Sequence, residues 1–262
     1  MNNAANTEKE KQTPEIVREE DYLFDKSWTC PICGGKIKER TVKGSKVKLK
    51  GSDQDLRPRY EQLELLKYDV VLCPACGYTA LGRYFDTVTQ VQAKNIREKI
   101  CANFNAHVEA KSTYSYSEAL WRYRMALANA IVKGTKASEK AYICLKAAWL
   151  LRSRAEHLDQ DLPDYDAQKK QCGEEEKEFL RNALDGFIEA RASEDFPMCG
   201  MDESTVDYLI AALAVVFERY DVASRLVVEV LHSTTNPRMK DRARDLKEIV
   251  SKKMQERNAA SE

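Results

Sequence analysis

The pattern of hydrophobic and polar positions changes character near residue 86. Before that point, polar and apolar residues alternate in KIKERTV (36–42) and KVKLK (46–50), as they do in partly exposed strands. The run KYDVVLC (67–73) is richer in β-branched residues and is predicted to be a buried strand. Six of the ten glycines also lie before residue 86, where they suit tight turns. The pattern therefore predicts a small N-terminal β region.

After residue 86 the apolar positions recur with the period of a helix. The predicted helices span 88–110, 115–133, 137–157, 172–192, 203–219, 221–232 and 237–256. Three helix starts carry capping signals, namely Ser115 or Ser117, Asp202, and Asn236 followed by Pro237. The stretch 159–173 is predicted to be the longest loop between helices.

Two cysteine pairs share one pattern, Cys30-Pro-Ile-Cys33-Gly and Cys73-Pro-Ala-Cys76-Gly. A tight turn inside each pair aims both sulfurs at one point, and the glycine that follows permits a left-handed backbone. Two such turns supply four thiolates, which suits tetrahedral Zn²⁺. We therefore predict one structural zinc ion bound by Cys30, Cys33, Cys73 and Cys76. The 39 residues between the pairs are predicted to form an extended hairpin that brings the turns together.

Other uses of cysteine fit the sequence less well. A thioredoxin-like redox pair should lie between a strand and a helix, whereas two matched pairs occur here among β-like runs. An iron–sulfur cluster uses the same ligand type, so the sequence leaves zinc against iron open. The remaining cysteines are scattered singly, and Cys101 and Cys144 fall within predicted helices as packed thiols.

Basic residues dominate residues 26–50, where Glu39 is the one acidic residue. The candidate nucleic-acid contacts among them are Lys36, Lys38, Lys43, Lys46 and Lys48. These lysines would bind phosphates if they form one exposed face. Alternatively, they prevent strand edges from pairing and offset the negative charge of a zinc–thiolate centre. Aromatic residues do not interleave with them, so stacking on bases has little support.

A dense polar cluster, SDQDLRPRY (52–60), precedes the second cysteine pair. It has the composition of either a recognition loop or a turn that hydrogen-bonds to itself. Asp53 and Asp55 alone are a poor case for an oxygen-ligated metal. The self-bonded turn is the interpretation that the residues favour.

Three predicted helices share a small–large–small spacing of buried-type residues. The sets are Ala119, Tyr123 and Ala126; Ala183, Phe187 and Ala190; and Ala223, Val227 and Val230. This spacing is the second-helix signature of a tetratricopeptide repeat, and Tyr142, Leu145 and Trp149 suit a first helix. The sets lie 64 and 40 residues apart against a repeat of about 34, so the first gap needs an insertion. An ordinary helical bundle is the alternative.

The composition narrows the functional classes. Lys plus Arg equals Asp plus Glu, 42 each, so net charge gives no argument for nucleic-acid or membrane binding. No apolar run is long enough for a membrane helix, and the polar N-terminus lacks a signal-peptide core. We therefore expect a cytoplasmic protein with reduced cysteines. Phosphate-loop, GxSxG and HExxH motifs are absent, which favours a non-enzymatic role.

Six segments together resemble an uncharacterised bacterial family, a domain of unknown function. They are CPICG, DQDLRPRY, YDVVLCPACGYTA, SEALWRYRMAL, AAWLLR and EDFPMCGMDESTVDYLIAAL, spread over residues 25–255. The resemblance implies an N-terminal zinc ribbon, C-terminal tetratricopeptide-like helices and zinc ligands at the four paired cysteines. It implies no established activity.

The sequence thus predicts a mainly α protein, a tetratricopeptide-like α-α array preceded by a small β zinc ribbon. The predicted parts are a disordered tail (1–20), the ribbon (21–86), the helical domain (87–257) and a frayed C-terminus (258–262). The predicted function is an interaction scaffold whose helical groove binds a protein or peptide partner. The alternative is a nucleic-acid-associated regulator that binds through the basic ribbon.

Overall fold

Short antiparallel strand pairs occupy the N-terminal part of the protein. The computed structural model describes residues 18–105 and 111–259. The paired strands are β1 (Leu23–Thr29) with β2 (Lys36–Val42), β3 (Leu49–Ser52) with β4 (Pro58–Tyr60), and β5 (Val70–Leu72) with β6 (Thr79–Leu81). The predicted strand at 36–42 is confirmed, and β5 is buried throughout as its β-branched residues predicted.

The hairpin arrangement differs from the expected one. Each cysteine pair lies in the turn of its own hairpin, Cys30–Cys33 between β1 and β2 and Cys73–Cys76 between β5 and β6. The intervening residues do form a hairpin, β3–β4, but it is paired to neither of the others. The strand expected at 46–50 starts only at Leu49, because a 3-10 turn, Gly44–Lys46, comes first.

Seven α-helices follow within the described residues. They are α1 (Gln90–Lys99), α2 (Tyr116–Lys133), α3 (Ala137–Glu156), α4 (Tyr165–Ser193), α5 (Glu203–Val216), α6 (Tyr220–Ser233) and α7 (Pro237–Ala259). The predicted caps are confirmed. The Ser115 and Asp202 side chains accept from the backbone N–H groups of Glu118 and Thr205, and Asn236 Oδ1 accepts from that of Arg238.

Two predicted helix boundaries are wrong. The helix expected over 88–110 ends at Lys99, and a 3-10 turn, Cys101–Asn103, follows it, while residues 106–110 lie outside the described part. The loop expected over 159–173 is shorter, because α4 already begins at Tyr165. Its first turns are rich in Gln, Lys and Glu, which favour helix without an apolar stripe.

The helices pack in chain order, each of α2 to α6 against its successor. The small–large–small residues noted above are all buried, and Tyr123, Phe187 and Val227 are fully buried. Gly186 allows α4 to approach α3 closely, since an added Cβ there would lie 2.9 Å from the Ala141 Cβ. One large hydrophobic cluster therefore runs through the helices.

The strands share this core with the helices. Leu66, Val70 and Leu81 belong to the same buried cluster as α2–α7. The predicted boundary near residue 86 coincides with the change from strand to helix, but buried contacts cross it without a break. Variants that delete the strands would therefore expose apolar surface of the helical core.

The chain ends differ slightly from expectation. Glu19 and Glu20, placed by the sequence in the tail, lie in a 3-10 turn, and the Glu19 carboxylate accepts from Lys67 and from the Tyr68 hydroxyl. The predicted tail at 1–17 and the last three residues lie outside the described part. Within residues 18–105 and 111–259, no helix combines the length and apolar character that crossing a bilayer requires.

Candidate metal centre

The two cysteine turns have nearly the same backbone geometry. The N–H of Gly34 donates to the Cys30 carbonyl, and the N–H of Gly77 donates to the Cys73 carbonyl, both at 2.9 Å. Both glycines have φ of +74°, the left-handed conformation predicted for the position after each pair. Each hairpin therefore presents two sulfurs from a turn that only glycine closes without strain.

The four predicted ligands come together across the hairpins. All four sulfur atoms of Cys30, Cys33, Cys73 and Cys76 lie within 4.8 Å of one another. Cys30 Sγ is 3.7 Å from Cys76 Sγ, and Cys33 Sγ is 3.6 Å from Cys73 Sγ. Tetrahedral zinc with Zn–S bonds of about 2.3 Å requires S–S separations of about 3.8 Å. The donor set and its spacing fit one metal ion held by four thiolates.

The close sulfurs shift one another's protonation. The hydrogen bond with Cys30 lowers the pKa of the Cys73 thiol to about 2, and the same bond raises the pKa of Cys30 to about 12. The pKa of Cys76 is also raised, first by its hydrogen bond with Cys30. A single thiolate is thus stabilised by protonated neighbours, whereas four thiolates need a cation to offset their charge.

Helical residues hold both cysteine turns. Arg97 of α1 donates from Nη2 to the carbonyl of Ile32, inside the first turn, at 3.0 Å. Asn129 of α2 donates from Nδ2 to the carbonyl of Gly77, at the end of the second turn, at 3.2 Å. The two turns are therefore positioned by the helices as well as by their own hairpins.

Phe104 covers the second turn. A Cβ added at Gly77 would collide with the Phe104 ring, so this glycine is needed for space as well as for its positive φ. Cys30, Cys73 and Cys76 are buried, whereas Cys33 is exposed and leaves one side of the sulfur quartet facing solvent. The quartet is thus enclosed on most sides by protein.

Sequence reasoning missed Arg97, Asn129 and Phe104. None belongs to a motif, and each lies 25 or more residues from the nearest cysteine of the turn that it contacts. Cys101 was expected to be an ordinary packed thiol in a helix. It lies instead in the 3-10 turn after α1, partly buried against the hydrophobic cluster that surrounds the quartet.

The structure places the five candidate lysines in different settings. Lys36 and Lys38 are exposed on β2, on the side opposite to buried Ile37, and both line one cleft together with Lys111. Lys43 is half-buried and its Nζ donates to the Asp21 carbonyl at 3.1 Å. Lys46 and Lys48 are exposed on the segment that leads into β3.

The polar stretch 52–60 is a self-bonded turn, as its residues favoured, but it is also anchored to helices. Asp53 accepts from Arg57 Nε at 2.7 Å, within the turn. Fully buried Arg57 then donates from Nη2 to both carboxylate oxygens of Glu156 on α3, at 2.7 and 2.8 Å. Asp55 accepts from Trp149 Nε1 at 3.0 Å. The carboxylates at 53 and 55 are thus occupied by protein cations and donors.

Comparison with known proteins gives one match. Residues 23–250 match the profile of a family described as "Uncharacterized protein conserved in bacteria (DUF2225)". No curated protein and no solved structure matches the chain. The matched range spans both cysteine turns and all but the last turns of α7. The chain therefore belongs to this family of uncharacterised bacterial proteins.

Proposed function

We propose that Cys30, Cys33, Cys73 and Cys76 bind one Zn²⁺ in a structural role. The observation that carries this is the spacing of the four sulfurs. Two separations, 3.7 and 3.6 Å, match the edge of a zinc–sulfur tetrahedron, and all four sulfurs lie within 4.8 Å of one another. Four protein ligands fill the tetrahedron and leave no position for a water or a substrate. The zinc would join two hairpins that share no backbone hydrogen bonds.

We further propose that the protein is a non-enzymatic scaffold with tetratricopeptide-like helices. Support comes from the chain-order packing of α2 to α7 and from the burial of the three small–large–small sets. The pairs α3–α4 and α5–α6 would each form one repeat, and α7 would cover the end of the array. The groove of this array would bind a protein or peptide partner.

Zinc removal tests the first proposal. Replacing Cys73 by Ser should abolish zinc binding and disrupt the hairpins, because three thiolates no longer close the tetrahedron. A Cys144→Ala variant is the matched control, since that thiol is buried within α3 and away from the quartet. Zinc content by atomic emission and folding by circular dichroism are the measurements. Stoichiometric zinc in the Cys73→Ser protein would contradict the assignment.

Site-specific photocrosslinking in the native cell tests the scaffold proposal. A photoreactive amino acid would replace, one at a time, three exposed apolar residues on successive helices: Val216, Val228 and Ile249. Exposed Leu49 on β3 provides a matched position in the ribbon. We expect the same discrete protein to crosslink from positions in the array. Crosslinks no stronger than background at all three helical positions would contradict a partner-binding array.

A second candidate function rests on the cleft beside β2. Lys36 and Lys38 line it without a carboxylate partner among the described residues, and Lys111, which is paired with Glu118, lies beside them, so phosphate oxygens can reach the two free cations. We propose nucleic-acid binding at this cleft as the alternative. It predicts an affinity that falls steeply with salt, and a Lys36→Ala/Lys38→Ala protein whose log–log salt slope is smaller by about 0.9 per lost phosphate contact. Binding that ignores salt, or is absent, would exclude it.

A further inference from the structure

A cleft of ≈ 440 Å³ opens on the side of the protein where α2 turns into α3. Its walls come from the end of α2, the first turn of α3, the segment before α1 and the loop after α4. It lies apart from the four predicted metal ligands, none of which lines it. Its volume is within the usual range for sites that hold small molecules.

Lys133, the last residue of α2, lines this cleft and is only 6% exposed. Within the described residues, its ammonium has no carboxylate within 4 Å and no hydrogen-bond acceptor, although burial of a lone charge is costly. The ammonium keeps some contact with solvent, because Lys133 Nζ is not one of the fully enclosed side-chain atoms that lack a partner. It therefore reaches the cleft.

The other buried cations behave differently. Arg57, Lys67 and Arg122 each lie within 2.9 Å of a carboxylate oxygen, from Glu156, Glu19 and Glu39. A fold that pairs these three cations leaves the fourth, Lys133, open toward a cavity. Burial accordingly lowers the pKa of Lys133, against the opposing influence of the Glu139 charge. The missing partner is the kind of group that a ligand supplies.

Glu139, in the first turn of α3, is the second charge of the cleft that is shielded from solvent without a protein partner, whereas Lys136 and Asp195 at the same cleft are exposed. It is half-buried, lies beyond ion-pairing distance of Lys133, and has no hydrogen-bond partner among the described residues. Burial raises its pKa. Glu194, another half-buried carboxylate of the cleft, already has protein partners. It accepts hydrogen bonds from the backbone N–H and the hydroxyl of Ser138, at 3.1 and 2.5 Å.

We propose that this cleft binds a small zwitterion of the amino-acid class, whose carboxylate pairs with Lys133 and whose ammonium pairs with Glu139. A separate cation and carboxylate on one wall fit opposite charges carried by one ligand. Gln92 adds a further donor at the rim, since its Oε1 accepts from the Thr89 N–H and its amide nitrogen stays available. The occupant satisfies two buried charges that the protein leaves unpaired.

The test is calorimetric titration of the full chain with individual L-amino acids, with acetate and methylammonium as half-ligand controls. We expect at least one amino acid to bind and to raise the melting temperature, while acetate and methylammonium bind weakly. Lys133→Met and Glu139→Gln should each weaken that binding on the order of tenfold or more. Lys140→Met, a half-buried lysine of α3 outside the cleft, should leave it unchanged.

Stability without any probe gives an independent check. Because Lys133→Met removes an unpaired buried charge, its melting temperature should equal or exceed that of the wild type. A clear decrease would overturn the claim that the ammonium is unpaired. Failure of every amino acid to bind, unchanged binding in Lys133→Met, or acetate binding equal to that of the amino acids would overturn the zwitterion site.

Discussion

Nη1 of Arg122, on α2, lies 2.9 Å from both carboxylate oxygens of Glu39, on β2, and both side chains are buried. The same carboxylate accepts from the Tyr114 hydroxyl at 2.5 Å and from the Leu72 backbone N–H at 3.2 Å. The carboxylate thus links two strands of the ribbon to the helices. The ribbon is therefore held in place by a buried polar network in addition to its sulfur quartet.

Breaking this pair should destabilise the protein strongly. Arg122→Met leaves the buried Glu39 carboxylate without its cation, so we expect the free energy of unfolding to fall by about 3–5 kcal/mol. Glu39→Gln should cost less, because Arg122 keeps its ion pair with Glu118. The double variant should lose less than the sum of the single losses, because neither charge remains. Urea unfolding measures all three. The control Glu98→Gln, at an exposed ion pair on α1, should leave the urea midpoint of unfolding unchanged. Strict additivity of the two single losses in the double variant would contradict direct pairing of Arg122 with Glu39.

The glycines of the ribbon should respond to substitution in a graded order. Gly44→Ala meets open space, Gly34→Ala introduces only the strain of a positive φ, and Gly77→Ala adds a collision with Phe104. We expect zinc affinity and melting temperature to fall in that order, with a loss of about 1 kcal/mol or more for strain alone. Competition with a chromogenic chelator measures the affinity. A Gly77→Ala protein as stable as Gly34→Ala would show that Phe104 does not cover the turn.

Two helical glycines of α4 should respond in opposite directions. Gly173 has no atom near the position of an added Cβ, so Gly173→Ala should stabilise the protein by about 0.5–1 kcal/mol through helix propensity. Gly186→Ala should destabilise it, because the new methyl meets Ala141 where α3 and α4 cross. Thermal unfolding compares both with the wild type. A destabilising Gly173→Ala would argue against a helix at that position.

The charged turn at 53–59 should make the free energy of unfolding depend on pH. Burial, the largest single influence, raises the pKa of Asp53, but the hydrogen bond of Arg59 and the charges of Arg57 and Arg59 together hold it below its usual range. Because the folded pKa is the lower one, the carboxylate stabilises the fold above its unfolded pKa of about 3.9, and this is lost as pH falls through the folded value.

The Asp53→Asn variant isolates that contribution. Both proteins keep the cysteine quartet, so acid effects on the metal cancel in their difference. The stability deficit of Asp53→Asn, measured by urea unfolding, should be largest near about pH 7 and shrink toward about pH 3. A deficit that stays constant over this range would show that the pKa of Asp53 is not depressed.

Local patterns predicted the parts of the protein that local chemistry determines. The spacing Cys30-x-x-Cys33 with the glycine at 34 specified a tight turn, and the structure has that turn. The alternation of β2 also predicts its buried face, but nothing in the basic run around Glu39 indicates that this acidic side chain is buried. Its burial depends on Arg122, 83 residues away, and no spacing rule reports such a partner.

Tertiary context decided the features that sequence reasoning missed. The first turns of α4 are mostly exposed, with Cys172 the buried residue before Gly173, so no apolar period marked the helix start. Asn129 and Lys133 both lie on α2, and the sequence alone does not distinguish either from a polar residue on the exposed face of the helix. The fold buries both, directing Asn129 to a cysteine turn and Lys133 to a cleft.

The central claim is that the four paired cysteines hold one zinc ion. X-ray absorption spectroscopy of the purified protein at the zinc edge, with metal content measured on the same sample, tests it most directly. We expect one zinc per chain and a first shell of four sulfurs at about 2.3 Å. Fewer than four sulfur neighbours, nitrogen or oxygen ligands in the first shell, or iron in place of zinc would contradict the claim.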